Sequence, residues 1–148
     1  MIAVLDWLEP WDDDFLPAFW AAKRAMLKAA EEAMGRHGVR EGQQFILMAL
    51  WREDGLSPGE IARRLGLATS TVTRAATRMV RSGLLERRPH PSDARLVNIH
   101  LTDRGRDLRD DLNAEMRRLS ERALAGFTTE QRAEFRRSLE RLHDNLSH

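Results

Sequence analysis

The stretch from Ser57 to Gly83 leaves little choice of local structure. Ser57-Pro58-Gly59-Glu60 places a hydroxyl cap, a proline at the first helical position and an acid three residues after the cap, which together mark a helix start. Ile61, Ala62 and Leu65 follow at helical spacing, and Gly66 stops the run. After the short turn Leu67-Ala68, a second helix is expected from about Thr69 to Arg81, ended by Gly83. Its inward face is Val72, Ala75, Ala76 and Met79. Its outward face is Thr69, Ser70, Thr73, Arg74, Thr77 and Arg78. Leu84 to Arg88 then reads as a short strand, and Leu96 to Leu101 as its return, with Val97, Ile99 and Leu101 on one face. Between them, Pro89 to Ala94 is a loop whose two prolines are expected to stop any ladder.

The flanks read as helix. Apolar residues at Phe15, Phe19, Ala22, Met26, Ala30 and Ala33 keep a helical period, and Pro17 suits a first turn. Ahead of them, Leu5, Leu8 and Trp11 form an apolar arm interrupted by Pro10, which must cover its own core or a partner subunit. Phe45 to Trp51 is an unbroken apolar run in which Leu, Met and Ala outnumber β-branched residues, so a helix is favoured. Thr102 caps a helix with one stripe of Leu108, Leu112, Met116, Leu119 and Ala123. Thr128 and Gln131 form a second capping box, and the last helix presents Phe135, Leu139, Leu142 and Leu146.

A chain of 148 residues suits one domain. With 0 Cys it holds no disulfide framework, cysteine zinc site, thiol nucleophile or cysteine redox sensor. No apolar run approaches the roughly 18 residues of a membrane span. Asp6 and Glu9, with no base near them, do not suit a secretory signal. The expectation is a soluble, cytoplasmic protein.

The net charge of +1 hides a segregation, because residues 57–100 carry 8 bases against 3 acids. A local excess of this kind points to an anionic partner. Of the 24 bases only Lys23 and Lys28 are lysines, and arginine forks bind phosphate or a guanine edge bidentately. Arginine-rich codon usage would give the same bias. A merely solvated helix face, however, carries mixed charges, and between Ile61 and Val80 the charges are Arg63, Arg64, Arg74 and Arg78 alone. Two short helices, the second rich in Thr, Ser and Arg outside, followed by a basic hairpin with Arg87, Arg88 and Arg95, make a winged helix-turn-helix pattern. The major groove admits one such helix, and the hairpin can reach flanking backbone or minor groove. Double-stranded DNA is the partner expected.

Chemistry of other kinds finds no support in the residue pattern. His37, His90, His100, His143 and His148 are scattered, and Glu140-x-x-His143 lacks the second copy and further glutamates of a di-iron site. No glycine-rich phosphate loop and no nucleophile elbow occur. No catalytic residue, metal site or cofactor is expected.

Several stretches resemble the MarR-type transcriptional regulators. They are Leu56 to Leu67, Ser70-Thr71-Val72-Thr73-Arg74, Gly83 to Arg87, the wing Ser92-Asp93-Ala94-Arg95-Leu96-Val97 with its Asp-x-Arg signature, and Leu101 to Gly105. The resemblance covers about Gly42 to Leu108. It implies a mainly α fold with a small β-hairpin wing: a winged helix-turn-helix lobe at about 42–100 plus an all-helical dimerisation lobe of helices at about 14–38 and 102–146. It implies a homodimer that reads a pseudo-palindrome, most simply as a repressor. Ser70, Thr73, Arg74 and Arg78, flanked by Thr69 and Thr77, would face the major groove. Arg95 would enter the minor groove, with Arg88 beside it on the hairpin, and Asp93 would hold the wing in shape. Family members often carry an acid that can pair with the wing arginine where this chain has Thr77. The family also often binds small aromatic or phenolic effectors, for which Trp20, His37 and Trp51 are candidate linings and Arg40 a carboxylate partner. The alternative is a winged helix that senses no ligand and acts as an architectural or protein-interaction module.

Overall fold

Local chemistry sets most element boundaries in the computed structural model, which describes residues 12–147. The apolar arm at Leu5, Leu8 and Trp11 lies outside the described residues. The order is α1 (Phe15–Gly35), α2 (Gln43–Arg52), α3 (Pro58–Leu65), α4 (Thr69–Arg81), β1 (Leu85–Pro89), β2 (Val97–Leu101), α5 (Asp103–Ala123) and α6 (Thr129–Leu146). This is the mainly helical fold with a two-stranded hairpin that the sequence implies. Among the described residues, no helix is long and apolar enough to cross a membrane.

The described residues fall into two compact units, one ending at Met116 and the other beginning at Arg117. The first is organised around Ile46, Leu47 and Leu50 of α2, Ile61 of α3, Val72, Ala76 and Met79 of α4, Leu84, Leu85, Ile99 and Leu101 of the hairpin, and Leu108 and Leu112 of α5. Fully burying side chains of this size contributes about 1.5–3 kcal/mol each, which holds three short helices and a small ribbon that would not persist alone. The apolar run of α2 is two-sided. Ile46, Leu47 and Leu50 are buried, whereas Phe45 and Met48 stay exposed. In the second unit α6 starts at a complete capping box: Gln131 N donates to Thr128 Oγ1 at 3.1 Å and Thr128 N to Gln131 Oε1 at 2.9 Å. Phe127 and Phe135 form a tilted ring pair with centroids 5.9 Å apart.

The hairpin departs from the sequence expectation in two ways. Pro89 belongs to the ladder, opposite Val97, instead of ending it. His90 N donates to Leu96 O at 2.9 Å, so hydrogen-bonded pairs fall on even positions of β1. Pro89 sits at a non-bonded pair, where the ladder asks for no N–H. Second, Val97 is exposed while Asn98 is buried, so Val97, Ile99 and Leu101 are not one buried row. Val97 pairs near the loop end, where the ribbon has outgrown the core that covers Ile99 and Leu101. The outer edge of β2 is also closed. Ile99 N donates to Leu56 O at 2.7 Å, and Leu101 N to the Asp54 carboxylate at 2.9 Å.

Candidate nucleic-acid interface

The α3–α4 pair is built from its ends inward. Ser57 Oγ accepts from Glu60 N at 3.2 Å, and Glu60 Oε2 accepts from Ser57 N at 3.0 Å, so α3 begins with two of its orphan donors satisfied. The backbone hydrogen bond to Ser57 holds the Glu60 carboxyl below its ordinary range. At the far end Gly66 takes φ 65°, and Leu67 N returns to Ala62 O at 2.9 Å. Gly83, at φ 80°, does the same for α4, with Leu84 N bonded to Met79 O at 2.9 Å. Side chains other than glycine rarely adopt this left-handed backbone, so the two glycines fix where each helix turns away.

Between these stops, α4 buries Val72, Ala76 and Met79 completely, and Ala75 is half-buried against the same core. Thr69, Ser70, Thr73, Arg74 and Arg78 are exposed, and Thr77 is half-buried. Thr73 Oγ1 donates to Thr69 O at 3.0 Å and Thr77 Oγ1 to Thr73 O at 2.9 Å. These bonds fix the rotamers and leave the hydroxyl lone pairs as acceptors. Arg87 of β1 donates to Thr77 Oγ1 at 2.6 Å.

The wing tip is held by short-range bonds. Asp93 Oδ1 accepts from Arg95 N at 3.0 Å and from Arg95 Nε at 3.3 Å, and Asp93 O accepts from Leu96 N at 3.0 Å. His90 Nδ1 accepts from Ser92 N at 3.1 Å. The Arg95 side chain is 92% exposed. Arg88 lies on the opposite face of β1 from Arg87 and pairs with Glu86. Acids are absent from residues 61 to 85, so every charged side chain on α4 and the turns at its two ends is an arginine.

The MarR family's sequence profile matches residues 40–97, which span α2 to the start of β2. The chain is 31% identical over 135 residues to the HTH-type transcriptional regulator TtmR of Methylorubrum extorquens, covering 91% of this chain and 68% of that protein. It is 31% identical over 100 residues to the HTH-type transcriptional repressor MdtR of Bacillus subtilis, covering 68% of this chain and 64% of that one. A solved MarR transcriptional regulator from Methanosarcina mazei superposes with a TM-score of 0.70 at 27% identity, over 86% of this chain and 92% of the other.

The chain belongs to the MarR family. Its role is DNA-binding transcription regulation, and its relatives carry the names of regulators, not of enzymes.

This MarR-family chain also has an apolar cleft of about 600 Å³ in its first unit, lined by Met34, Phe45, Met48, Trp51, Leu112 and Met116. Arg52, Arg109, Asn113 and Gln44 complete the wall, and the Gln44 Oε1 atom is buried with no hydrogen-bond partner. Of the four residues singled out from sequence as effector contacts, Trp51 lines this cleft. Its indole N–H donates to Gly105 O at 2.9 Å. Trp20 lies instead on α1 beside Leu27 and Lys28, and Arg40 is exposed in the loop before α2. His37 Nε2 is 3.2 Å from Glu115 Oε1. Glu115 was not legible as a site residue: it stands next to Met116 in the α5 stripe, yet it is buried and also receives Arg36 Nη2 at 2.9 Å. Its partners come from 78 and 79 residues away, a distance over which helical periodicity carries no signal.

Proposed function

We propose that this protein is a homodimeric repressor that binds a pseudo-palindromic operator and releases it on binding a small aromatic acid. The observation that carries the DNA reading is the α4 face, where Thr69, Ser70, Thr73, Arg74 and Arg78 are exposed together and no acid intervenes. A pure phosphate binder needs only a basic stripe. Hydroxyls and arginine forks on one helix face suit base edges as well. In this reading Ser70, Thr73, Arg74 and Arg78 contact the major groove, Thr69 and Thr77 border it, Arg95 enters the minor groove and Arg88 meets the backbone. Asp93 keeps the wing tip folded. The lobe at about 42–100 reads DNA, and the helices at about 14–38 and 102–146 join two copies.

Two observations support the dimer. Phe15, Trp20, Met26 and Leu27 of α1 are exposed, and α6 buries none of Phe135, Leu139 and Leu146. Exposed apolar faces of this kind are covered in stable proteins. The repressor sense is that of the MdtR name. For the effector, the cleft offers aromatic and thioether walls, a lone acceptor at Gln44 Oε1 and the cations Arg52 and Arg109. This suits a ring that bears both a hydrogen-bond donor and a carboxylate.

The test is fluorescence anisotropy with labelled DNA from upstream of the protein's own gene, then with genomic fragments, at about 150 mM salt with excess unrelated DNA. A preference of roughly 10³-fold or more over competitor establishes a specific regulator. Complete competition on every fragment supports the architectural module instead. Adding salicylate to the bound complex then tests the effector, with release of DNA expected.

A further inference from the structure

The wing is a two-stranded ribbon, a structure that is marginal in isolation and has little stiffness of its own. Leu85, Ile99 and Leu101 anchor its base in the core, but Arg87, Arg88 and Pro89 of β1 are exposed. Arg87 shares a face of β1 with the buried Leu85 and stands opposite Ile99, beyond which neither Pro89 nor its partner Val97 is buried. There Arg87 Nη2 donates to Thr77 Oγ1 at 2.6 Å. The acceptor is held ready, because Thr77 is half-buried and its own proton is committed to Thr73 O at 2.9 Å.

We propose that Arg87 is a positioning residue for DNA recognition. It clasps β1 to the recognition helix so that the wing-tip Arg95 and the α4 face meet the duplex in one rigid arrangement. The inference rests on the DNA-binding reading above. Geometry gives it weight. From Arg87 to the turn of the hairpin is four to five residues, or about 13–16 Å of extended strand. A swing of about 10° at Arg87 would therefore move the tip by about 2–3 Å, more than the tolerance of a hydrogen bond to a groove edge. The ordinary alternative is that Arg87 contacts a phosphate itself, and the two roles differ in salt dependence. A lost phosphate contact lowers the slope of log K against log salt by about 1. A lost clasp changes the slope equally in Arg87→Ala and in the uncharged Thr77→Val, because both free the same tip.

The experiment uses the genomic fragment retained in the competition assay, titrated over a salt series with wild type, Arg87→Ala, Thr77→Val, Thr77→Ser, Arg95→Ala and the paired variants. Arg87→Ala and Thr77→Val are each expected to weaken binding about threefold to tenfold, the scale of one hydrogen bond. The salt slope is the same in the two variants, and the double variant is no weaker than either single one. Thr77→Ser keeps the hydroxyl and keeps wild-type binding. Arg95→Ala costs less in the Arg87→Ala background than alone, because an unclasped tip no longer delivers Arg95. Thr77→Val is nearly isosteric, so it carries the test even where Arg87→Ala perturbs folding. A slope lowered by about 1 in Arg87→Ala, with Thr77→Val unaffected, overturns the clasp and leaves the DNA reading standing. A wild-type protein with no preferred fragment overturns both.

Discussion

Replacing Gly105 by alanine tests how tightly α5 is seated on the end of the recognition helix. In an open helical position the change should stabilise, because glycine costs about 0.5–1 kcal/mol relative to alanine there. Gly105 is not open. A Cβ on it would stand 2.2 Å from Leu84 O and 3.2 Å from Leu101 Cδ2, so backbone must move by about an ångström to reach ordinary contact. The carbonyl it strikes is pinned, accepting from Thr102 N and from Thr102 Oγ1, each at 3.1 Å. Gly105 itself is held through its N–H on Thr102 Oγ1 at 3.1 Å and its carbonyl under Trp51 Nε1 at 2.9 Å. Overpacking costs about 1–3 kcal/mol, and two or three strained hydrogen bonds about 0.5–1.5 kcal/mol each. Less the propensity gain, Gly105→Ala should destabilise by about 1–7 kcal/mol. Gly59 is the internal control. It lies in the first turn of α3 with nothing within 4 Å of its Cβ position and no positive φ, so Gly59→Ala should stabilise by about 0.4–1 kcal/mol. Urea unfolding followed by circular dichroism, at one protein concentration, gives both differences. A Gly105→Ala protein as stable as wild type would refute the packing argument, whatever Gly59→Ala does.

Three further outcomes are expected. Because Glu60 has its carboxyl lowered mainly by the Ser57 backbone bond, its contribution is present above the ordinary carboxylate pKa and lost as pH falls through the lowered one. Glu60→Gln keeps the capping geometry, so urea midpoints of wild type and variant should differ at pH 7 and converge as the pH falls below the lowered Glu60 pKa. Arg95→Ala should weaken specific binding by about 1–3 kcal/mol at near-physiological salt, read by anisotropy; unchanged affinity removes Arg95 from the interface. Light scattering at micromolar concentration should give a dimer, and Leu139→Glu on the exposed face of α6 should shift it toward monomer.

The parts legible in the sequence are those written in neighbouring residues. Both capping boxes, the stops at Gly66 and Gly83 and most of each α4 face depend on contacts within a few positions and stand as read, whereas Thr77 is half-buried and bonded to Arg87. What failed depended on partners far along the chain. The place of Pro89 in the ladder follows from the pairing parity of two strands, not from proline itself. Val97 lies outside the core because the ribbon outgrows it, which no alternation of apolar residues records. Glu115 is buried because Arg36 and His37 come to it from another helix end. The candidate effector residues follow from residue type alone. Of the four, Trp51 lines the cleft of the first unit, together with Phe45 and Met48 on the exposed side of the α2 apolar run.

The join between Leu84 and Thr102 has a consequence for how such a protein changes over generations. Thr102 N meets Leu84 O, so the hairpin opens and closes at one level, and Ile99 N on Leu56 O and Leu101 N on the Asp54 carboxylate fasten its base above that join. An insertion or deletion in the hairpin loop, residues 90–96, extends or shortens a loop whose ends are already closed, at a small entropic difference. Neither α4 nor α5 has to shift, because both are fastened below the join. The length and charge of the hairpin tip can therefore drift while α4 keeps its place, so the two elements are free to change one at a time.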